Sequence, residues 1–330
     1  MSELTLYIQN RTPVTENITT MDVSEKPHTF ICGTKRKGLL FFDEKFTHLR
    51  TYETEAAIKD IVHDRKSKKL YVVVWNRTLL ALNLSGKLIT SKRFTYYPVR
   101  LALCGSEKHI YIGGNEGQFS CLDENGETLF EDKLTDTINS MKHDPKTHNI
   151  YISTCDGNLY CYKKQKKLWT YKLDNMPVAI DYIPETEIII VALENGKILA
   201  LDNHRKIIAE TVTKKTITYI EHYVSIKDEP YICVGTYEGE LYLFDRNLRL
   251  QNQYNCESEI TGIKISGKNV YVSTLNGHIY TLVWHDKKEG EIFYELMCIG
   301  EKCGTFISTD FRNTCPRCLS GNVVSRIIIE

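Results

Sequence analysis

The residues that point most clearly to chemistry are four cysteines toward the C-terminus, Cys298, Cys303, Cys315 and Cys318. They form two close pairs, Cys-x4-Cys and Cys-x2-Cys. Each pair can place two thiolates on one tight turn, and two such turns complete a tetrahedral four-sulfur site. The sequence therefore predicts a metal centre. Zinc is preferred over iron, because nothing else in the sequence suggests redox chemistry.

The segment that carries these cysteines, residues 288–330, resembles zinc ribbons and rubredoxin-like knuckles. The first pair has a wider spacing than the Cys-x2-Cys usual in ribbons. Four cysteine ligands leave no open coordination position, so the resemblance implies a structural Zn²⁺ rather than a catalytic one. The metal would then supply most of the stability of so short a domain. Four free thiols or two disulfides are the alternatives.

Upstream of the cysteines, one stretch recurs seven times. Its clearest copies are residues 150–162 and 270–282, in which an apolar run, a small residue, a turn with Gly and a second apolar run follow one another. This order predicts a β-hairpin. The polar or apolar residues that close the second run lie about 40 positions apart, at Asp43, Asn83, Asp123, Lys163, Asp202, Asp245 and Val283. A period near 40 with strand-type content indicates a propeller.

The hairpins are apolar on both faces, which predicts that they are covered on both sides, as blades are in a propeller. Cys121 and Cys161 share a position with Ala81 and Ala200, so we expect them to be packing residues. Ten residues before each closing residue, six of the seven copies carry a small side chain, which predicts close packing near an axis. These positions are Gly33, Val73, Gly113, Ser153, Ala192, Gly235 and Ser273.

With an earlier and a later strand added to each hairpin, the chain reads as an all-β, seven-bladed β-propeller of four-stranded antiparallel blades over residues 1–287. Residues 288–330 form the separate zinc ribbon. The segment Leu4–Ile8 is a good strand, and we expect it to close the last blade from outside. A loose extra strand on the first blade is the alternative.

Residues 110–130 and 156–169 resemble the repeat of the PQQ-like (quinoprotein-like) propellers and, more broadly, WD40-type blades. The Gly-His and Trp-Asp marks of true WD40 repeats are absent. The resemblance covers roughly residues 15–285 and implies a fold, because propellers support many functions. Quinone chemistry is not expected, since the sequence shows no export signal and no adjacent pair of cysteines.

The bulk composition narrows the functional classes. The chain has 42 basic and 42 acidic residues, so no field of the whole protein attracts nucleic acid or an anionic membrane. No apolar run is long enough to span a bilayer. We therefore expect a soluble, cytoplasmic protein, in which the seven cysteines within the repeats are free thiols.

Three recurring features have both a functional and a structural interpretation. The pairs His63-Asp64 and His143-Asp144 are either dyads or, as we expect, turn residues that bond their own backbone. The basic runs 65–69 and 163–167 are either phosphate or partner contacts or solvated turns. Tyrosines at one strand position, Tyr71, Tyr111, Tyr151 and Tyr271, are expected to be packing residues.

The sequence therefore predicts a non-enzymatic protein–protein interaction scaffold within a larger cytosolic complex. The propeller would present loops and edges to a partner, and the zinc ribbon would form a second contact. Two alternatives stay open. One is a nucleic-acid-associated factor in transcription, translation or defence, which uses the ribbon. The other is a ligand sensor, which uses the propeller channel.

Overall fold

The computed structural model describes residues 4–14, 16–25, 28–36, 38–224 and 229–286 and the strands 293–298, 306–308 and 323–328. Within these described residues, thirty-one strands form seven four-stranded antiparallel sheets and one three-stranded sheet. The seven sheets are the blades of a β-propeller. Among the described residues, no helix is both long enough and apolar enough to cross a membrane.

The first three blades follow one another in the chain as simple meanders. Blade 1 consists of β2 (Ile18–Glu25), β3 (His28–Thr34), β4 (Leu39–Phe42) and β5 (His48–Tyr52). Blade 2 consists of β6 (Ile58–Asp64), β7 (Lys69–Val74), β8 (Thr78–Asn83) and β9 (Leu88–Arg93). Blade 3 consists of β10 (Pro98–Cys104), β11 (His109–Gly114), β12 (Gln118–Leu122) and β13 (Thr128–Lys133).

The next three blades repeat this order. Blade 4 consists of β14 (Ile138–His143), β15 (Asn149–Thr154), β16 (Asn158–Lys163) and β17 (Lys166–Lys172). Blade 5 consists of β18 (Pro177–Ile183), β19 (Ile188–Leu193), β20 (Lys197–Leu201) and β21 (Ile207–Val212). Blade 6 consists of β22 (Ile217–Val224), β23 (Pro230–Thr236), β24 (Glu240–Asp245) and β25 (Leu250–Asn255).

Blade 7 combines strands from two distant parts of the chain. It consists of β26 (Ile260–Ser266), β27 (Asn269–Thr274), β28 (His278–Asp286) and, as its outer strand, β1 (Leu4–Pro13). The backbone of Leu4 lies opposite Asp286 and that of Pro13 opposite His278, with one irregularity between Ile8 and Asn10. The outer strand thus extends past Ile8 to Pro13. This pairing fastens the residues that precede blade 1 to the last blade, so the ring is closed by backbone hydrogen bonds.

The core lies between neighbouring blades rather than at one centre. The second and third strands of each blade are buried almost throughout, whereas the outer strands are mostly exposed, as in β9 and β13. In one core cluster, Tyr71 and Val73 of blade 2 pack against Leu101 and Ile112 of blade 3. Because each blade is covered by two others, both faces of its hairpin must be apolar.

The small residues predicted to pack closely do so against the first strand of the next blade. A Cβ placed on Gly113 would lie 2.6 Å from Cγ2 of Ile138. Only a hydrogen fits between these two blades. The turn of blade 2, which lacks Gly, is no looser than the others, since Arg77 adopts a φ of +71°, close to the +87° of Gly117.

Three short strands form a separate antiparallel sheet in the order β30, β29, β31. They are β29 (Phe293–Cys298), β30 (Phe306–Ser308) and β31 (Val323–Ile328). Cys298 is the last residue of β29, and its backbone lies opposite Val323. The other predicted ligands, Cys303, Cys315 and Cys318, lie outside the described residues.

Candidate functional site

The first strands of the blades line a central channel of about 860 Å³. Its wall is rich in charged and polar side chains, in contrast to the apolar spaces between blades. The chemistry-bearing side chains of this wall are Lys59, Asp60, His63, Arg100, Lys142, His143, Tyr219, Glu221, Glu259 and Lys264. The channel is therefore a polar concavity to which the first strands of the blades contribute charged groups.

Carboxylates on the first strands of blades 1, 2 and 5 join each of these blades to the next. Asp60 of blade 2 accepts a hydrogen bond from the backbone N–H of Leu101 in blade 3, at 2.8 Å. Asp22 accepts one from His63 in blade 2, at 2.8 Å, and Asp181 accepts one from His222 in blade 6, at 2.6 Å. Each carboxylate satisfies an N–H that has no partner within its own sheet. These side chains thus hold the ring together around the channel.

An ion network spans three blades on one side of the channel. Nζ of Lys142 lies 3.0 Å from Oδ1 of Asp181 and 3.1 Å from Oε2 of Glu221. Nδ1 of His222 lies 2.8 Å from Oδ2 of Asp181. The Asp181 side chain is fully buried. Blades 4, 5 and 6 each contribute at least one charged group to this network, which neutralises the buried carboxylate.

The network shifts the pKa of its members. Burial would raise the pKa of Asp181, but Lys142 and His222 outweigh it, so the pKa of this carboxyl lies below its ordinary value. Burial would likewise lower the pKa of His222, but the adjacent Asp181 carboxylate raises it on balance. Elsewhere in the channel, burial raises the pKa of Asp60 despite the nearby Arg100. On this side of the channel, the charges of Lys142, Asp181, Glu221 and His222 compensate one another.

A second cluster lies at the face where the second strand of each blade turns into the third. Trp75 is 40% exposed there, and its ring centroid lies 4.8 Å from that of Tyr97. Nζ of Lys59 lies 4.3 Å from the Trp75 ring centroid, and the guanidinium carbon of Arg77 lies 4.6 Å from that of Tyr97. We call these four residues the Trp75 cluster. The two cations fix the two rings in a layered arrangement.

The surroundings of the Trp75 cluster are positively charged. Partial burial lowers the pKa of Lys59, and the nearby cations Arg100 and Lys35 lower it further. A lysine whose pKa falls because other cations are close marks a region that favours anions. The cluster therefore combines exposed aromatic surface with an attraction for carboxylate or phosphate.

In each of the two His-Asp pairs, the aspartate and the histidine have different roles. Asp64 and Asp144 act in turns, as expected: each accepts a hydrogen bond from the backbone N–H two residues later, that of Lys66 or Lys146. The histidines do not take part in those turns. Burial lowers the pKa of His143 to about 4, and His148 contributes to the same effect. His143 is therefore neutral near pH 7 and lies beside a second imidazole that the sequence did not single out.

The remaining predicted features are structural in the described residues. Tyr71, Tyr111, Tyr151 and Tyr271 are all buried. The basic run 65–69 forms a turn, in which Arg65 pairs with Glu25 at 2.9 Å on the surface. In the run 163–167, the Lys167 ammonium lies 5.6 Å from the Tyr160 ring centroid. The seven cysteines within the repeats are free thiols, and all except the half-buried Cys155 are buried.

Sequence reasoning missed the channel network, although a signal for it exists. When the first strands are aligned on their buried apolar residues, Lys142, Asp181 and Glu221 occupy one position, in three successive blades. Charged residues at one position of consecutive inner strands indicate that this position faces a polar channel. The total charge, which is zero, hides such an arrangement.

Comparison with known proteins adds no assignment to this geometry. No family model matches the chain, and no curated protein shows significant similarity to it. The fold class of the chain therefore follows from its own architecture. It is a seven-bladed β-propeller of four-stranded antiparallel blades.

Proposed function

We propose that this protein is a non-enzymatic protein–protein interaction scaffold, a subunit of a larger cytosolic complex, and that the Trp75 cluster binds an acidic segment of a partner protein. The carrying observation is the exposed Trp75 ring, which lies at a tilt beside Tyr97, with Lys59 over the Trp75 ring and Arg77 over the Tyr97 ring. Membership of the PQQ-like or WD40-like propellers belongs to the same proposal and rests on the repeat segments 110–130 and 156–169.

The composition of the cluster supports a protein partner. Trp, Tyr and Arg are the residue types that most often dominate binding energy at protein interfaces. Here they lie on tight turns of a closed ring, and cation–π contacts already hold the rings in place, so little side-chain entropy remains to be lost on binding. Lys59 and Arg77 would pair with carboxylates of the partner at the edge of the two rings, which the partner would cover. An acidic segment that carries at least one large apolar side chain fits both features.

The zinc ribbon is proposed as the second contact. β29 ends at Cys298 and β30 begins at Phe306, whose backbone lies opposite Met297. Cys303 falls in the connection between these antiparallel strands, and Cys315 and Cys318 fall in the connection between β30 and β31. Cys298 ends the strand that leads into the connection carrying Cys303, and the second pair belongs to the other connection, so a four-cysteine Zn²⁺ site would draw its ligands from both. Zn²⁺ would fasten the two connections together.

The interaction proposal is tested by affinity purification from the native source with mass spectrometry. We expect Trp75→Ala and Arg77→Ala to lose a stoichiometric protein partner that the wild type retains. Leu129→Ala is the matched control, because Leu129 is equally exposed, at 43%, but lies on an outer strand far from the cluster. If Trp75→Ala retains every partner of the wild type, the Trp75 cluster is not the docking surface.

Aromatic rings beside cations can also stack with the bases of single-stranded nucleic acid, which makes a nucleic-acid-associated factor the second candidate. The two functions differ in their salt dependence. Titration of the wild type with single-stranded RNA in low salt should give no Trp fluorescence change if the partner is a protein. Binding with a steep logarithmic salt slope, abolished by Trp75→Ala, would favour the second candidate instead.

The zinc proposal has an independent readout. We expect metal analysis of the purified chain to find Zn²⁺ that Cys315→Ser loses, and the same loss on dialysis against a chelator. An unchanged zinc content in Cys315→Ser would exclude the four-cysteine site.

A further inference from the structure

Three potential metal ligands from two blades converge beside the mouth of the channel. Cys104 ends β10 in blade 3, His143 ends β14 in blade 4, and His148 lies in the turn that follows β14. One ligand atom of each residue lies within 4.8 Å of those of the other two. Sγ of Cys104 lies 3.6 Å from Nδ1 of His148. The three residues form what we call the Cys104 cluster.

The turn conformation of the backbone at His148 recurs in other blades, whereas the imidazole side chain does not. The N–H of His148 donates to the carbonyl of Asp144 at 2.9 Å, and φ of His148 is +60°. The corresponding turns of other blades reach the same left-handed conformation with Lys68, Lys108 and Glu187, at φ values of +55°, +56° and +57°. The turn therefore accepts unrelated side chains at this position. The imidazole needs an explanation other than turn formation.

One ring nitrogen of His143 has no structural partner within the described part of the chain. Its Nε2 is buried and accepts or donates no hydrogen bond among the described residues. A buried polar atom without a partner destabilises the folded state, so a ligand for this nitrogen would offset that cost. The ring centroid of His143 is 5.9 Å from that of His148.

We propose that Cys104, His143 and His148 bind a divalent transition metal ion, Zn²⁺ before others, and that this ion fastens blade 3 to blade 4 at the mouth of the channel. One thiolate with two imidazoles is a donor set that suits Zn²⁺. In a tetrahedral site with Zn–S near 2.3 Å and Zn–N near 2.1 Å, sulfur and nitrogen lie about 3.6 Å apart. The separation between Cys104 and His148 already has that value.

The surrounding groups define what binding must displace. Without metal, Nδ1 of His148 lies 3.2 Å from the hydroxyl oxygen of Ser106, and Sγ of Cys104 lies 3.7 Å from Oε2 of Glu107. On binding, the Cys104 thiol loses its proton to solvent and binds the metal as a thiolate. The Ser106 hydroxyl turns away from the His148 imidazole, whose Nδ1 then binds the metal. The Glu107 carboxylate is the adjacent anionic oxygen that could take the fourth position, which water fills otherwise.

The test uses the full chain with Cys315→Ser and Cys318→Ser, so that the ribbon cysteines do not obscure the result, and Co²⁺ alone as the probe. We expect one equivalent of bound Co²⁺ with the visible bands of a tetrahedral site and a thiolate charge-transfer band. In the same background, Cys104→Ala and His148→Gln should remove both features. His148→Gln changes a turn residue rather than a buried core residue, so it reports on the site even if Cys104→Ala fails to fold.

Two matched variants serve as controls. His63 occupies the position of His143 in blade 2, and both of its ring nitrogens are buried without a partner, so His63→Gln should leave the Co²⁺ spectrum unchanged. Cys121→Ala removes a buried thiol of the same core cluster and should also leave it unchanged. Absence of tetrahedral Co²⁺ in the parent, or its persistence in folded His148→Gln, would overturn the proposal. Neither outcome bears on the Trp75 cluster or on the ribbon.

Discussion

The buried carboxylate of Asp181 offers the sharpest test of how the ring is held together. Asp181→Asn keeps the size of the side chain and an oxygen that accepts from the N–H of His222. It removes the charge that lies 3.0 Å from the Lys142 ammonium and 2.8 Å from the His222 ring. A hydrogen bond to a charged group contributes about 1.5–3 kcal/mol, and breaking a buried pair costs about 3–5 kcal/mol. We therefore expect the free energy of unfolding to fall by about 3–5 kcal/mol.

Asp22→Asn is the matched control, because Asp22 occupies the same strand position in blade 1. It also accepts from the N–H of the next blade, but the nitrogen of its cation, Lys264, lies 3.9 Å away, beyond direct hydrogen-bond distance. We expect a smaller loss there, of about 1 kcal/mol, because an ion pair without a direct hydrogen bond is removed. Urea unfolding followed by Trp fluorescence measures both variants. Equal losses, or a loss below about 1 kcal/mol for Asp181→Asn, would refute the view that the charge network rather than the backbone contact stabilises this part of the ring.

The same network gives a signed dependence on pH. The pKa of His222 is raised on folding, so its contribution to stability is complete below the unfolded value near 6.5 and is lost as pH rises through the folded value. The pKa of Asp181 is lowered, so its contribution is complete above the unfolded value near 3.9 and is lost as pH falls through the folded value. The difference in stability between wild type and Asp181→Asn should thus be largest between about pH 4 and pH 6.5. A difference independent of pH would contradict this assignment.

Two further predictions concern the geometry of the ring. Gly113→Ala should destabilise the protein by about 1–3 kcal/mol, because the added Cβ would lie 2.6 Å from Ile138. Thermal unfolding measures the loss. In the double variant with Ile138→Ala the two losses should be less than additive, and full additivity would contradict a clash. Deletion of residues 1–13 removes the outer strand of blade 7, so we expect a lower Tm and a concentration-dependent loss of soluble monomer by size-exclusion chromatography, which an unchanged elution profile and Tm would exclude.

The period of the sequence was sufficient to predict the propeller. Small residues such as Gly113 recur at one position because blades meet closely there, and hairpins apolar on both faces recur because every blade has two neighbours. These features are local or repeat along the chain, so a single sequence displays them. Arg77 shows where this reasoning was incomplete. We associated the turn between the second and third strands with Gly, but in blade 2 Arg77 adopts the same left-handed φ, and its guanidinium contacts the Tyr97 ring.

The sites were harder to predict, because they are made by residues that the ring brings together from different copies. Lys142, Asp181 and His222 lie about one blade apart, a spacing that the repeat itself imposes and that gives no motif. Cys104 looked like one more packing thiol, and its proximity to His148 depends on how blade 3 meets blade 4. The cysteine pairs toward the C-terminus, in contrast, are close in sequence and were recognisable without a fold.

The pairing of β1 with β28 has a consequence for how the protein is made. A ribosome synthesises β1 first and β28 near the end of the 330-residue chain, which at roughly 5–20 residues per second means a delay on the order of tens of seconds. Throughout that time, the backbone donors and acceptors of Leu4–Pro13 have no strand beside them, and blades 1 to 6 accumulate as an open arc. The nascent arc exposes the inter-blade surfaces at both ends to other chains. Closure of this ring therefore waits until blade 7 has been synthesised, and it is the step at which assistance by a chaperone would have the greatest effect on yield.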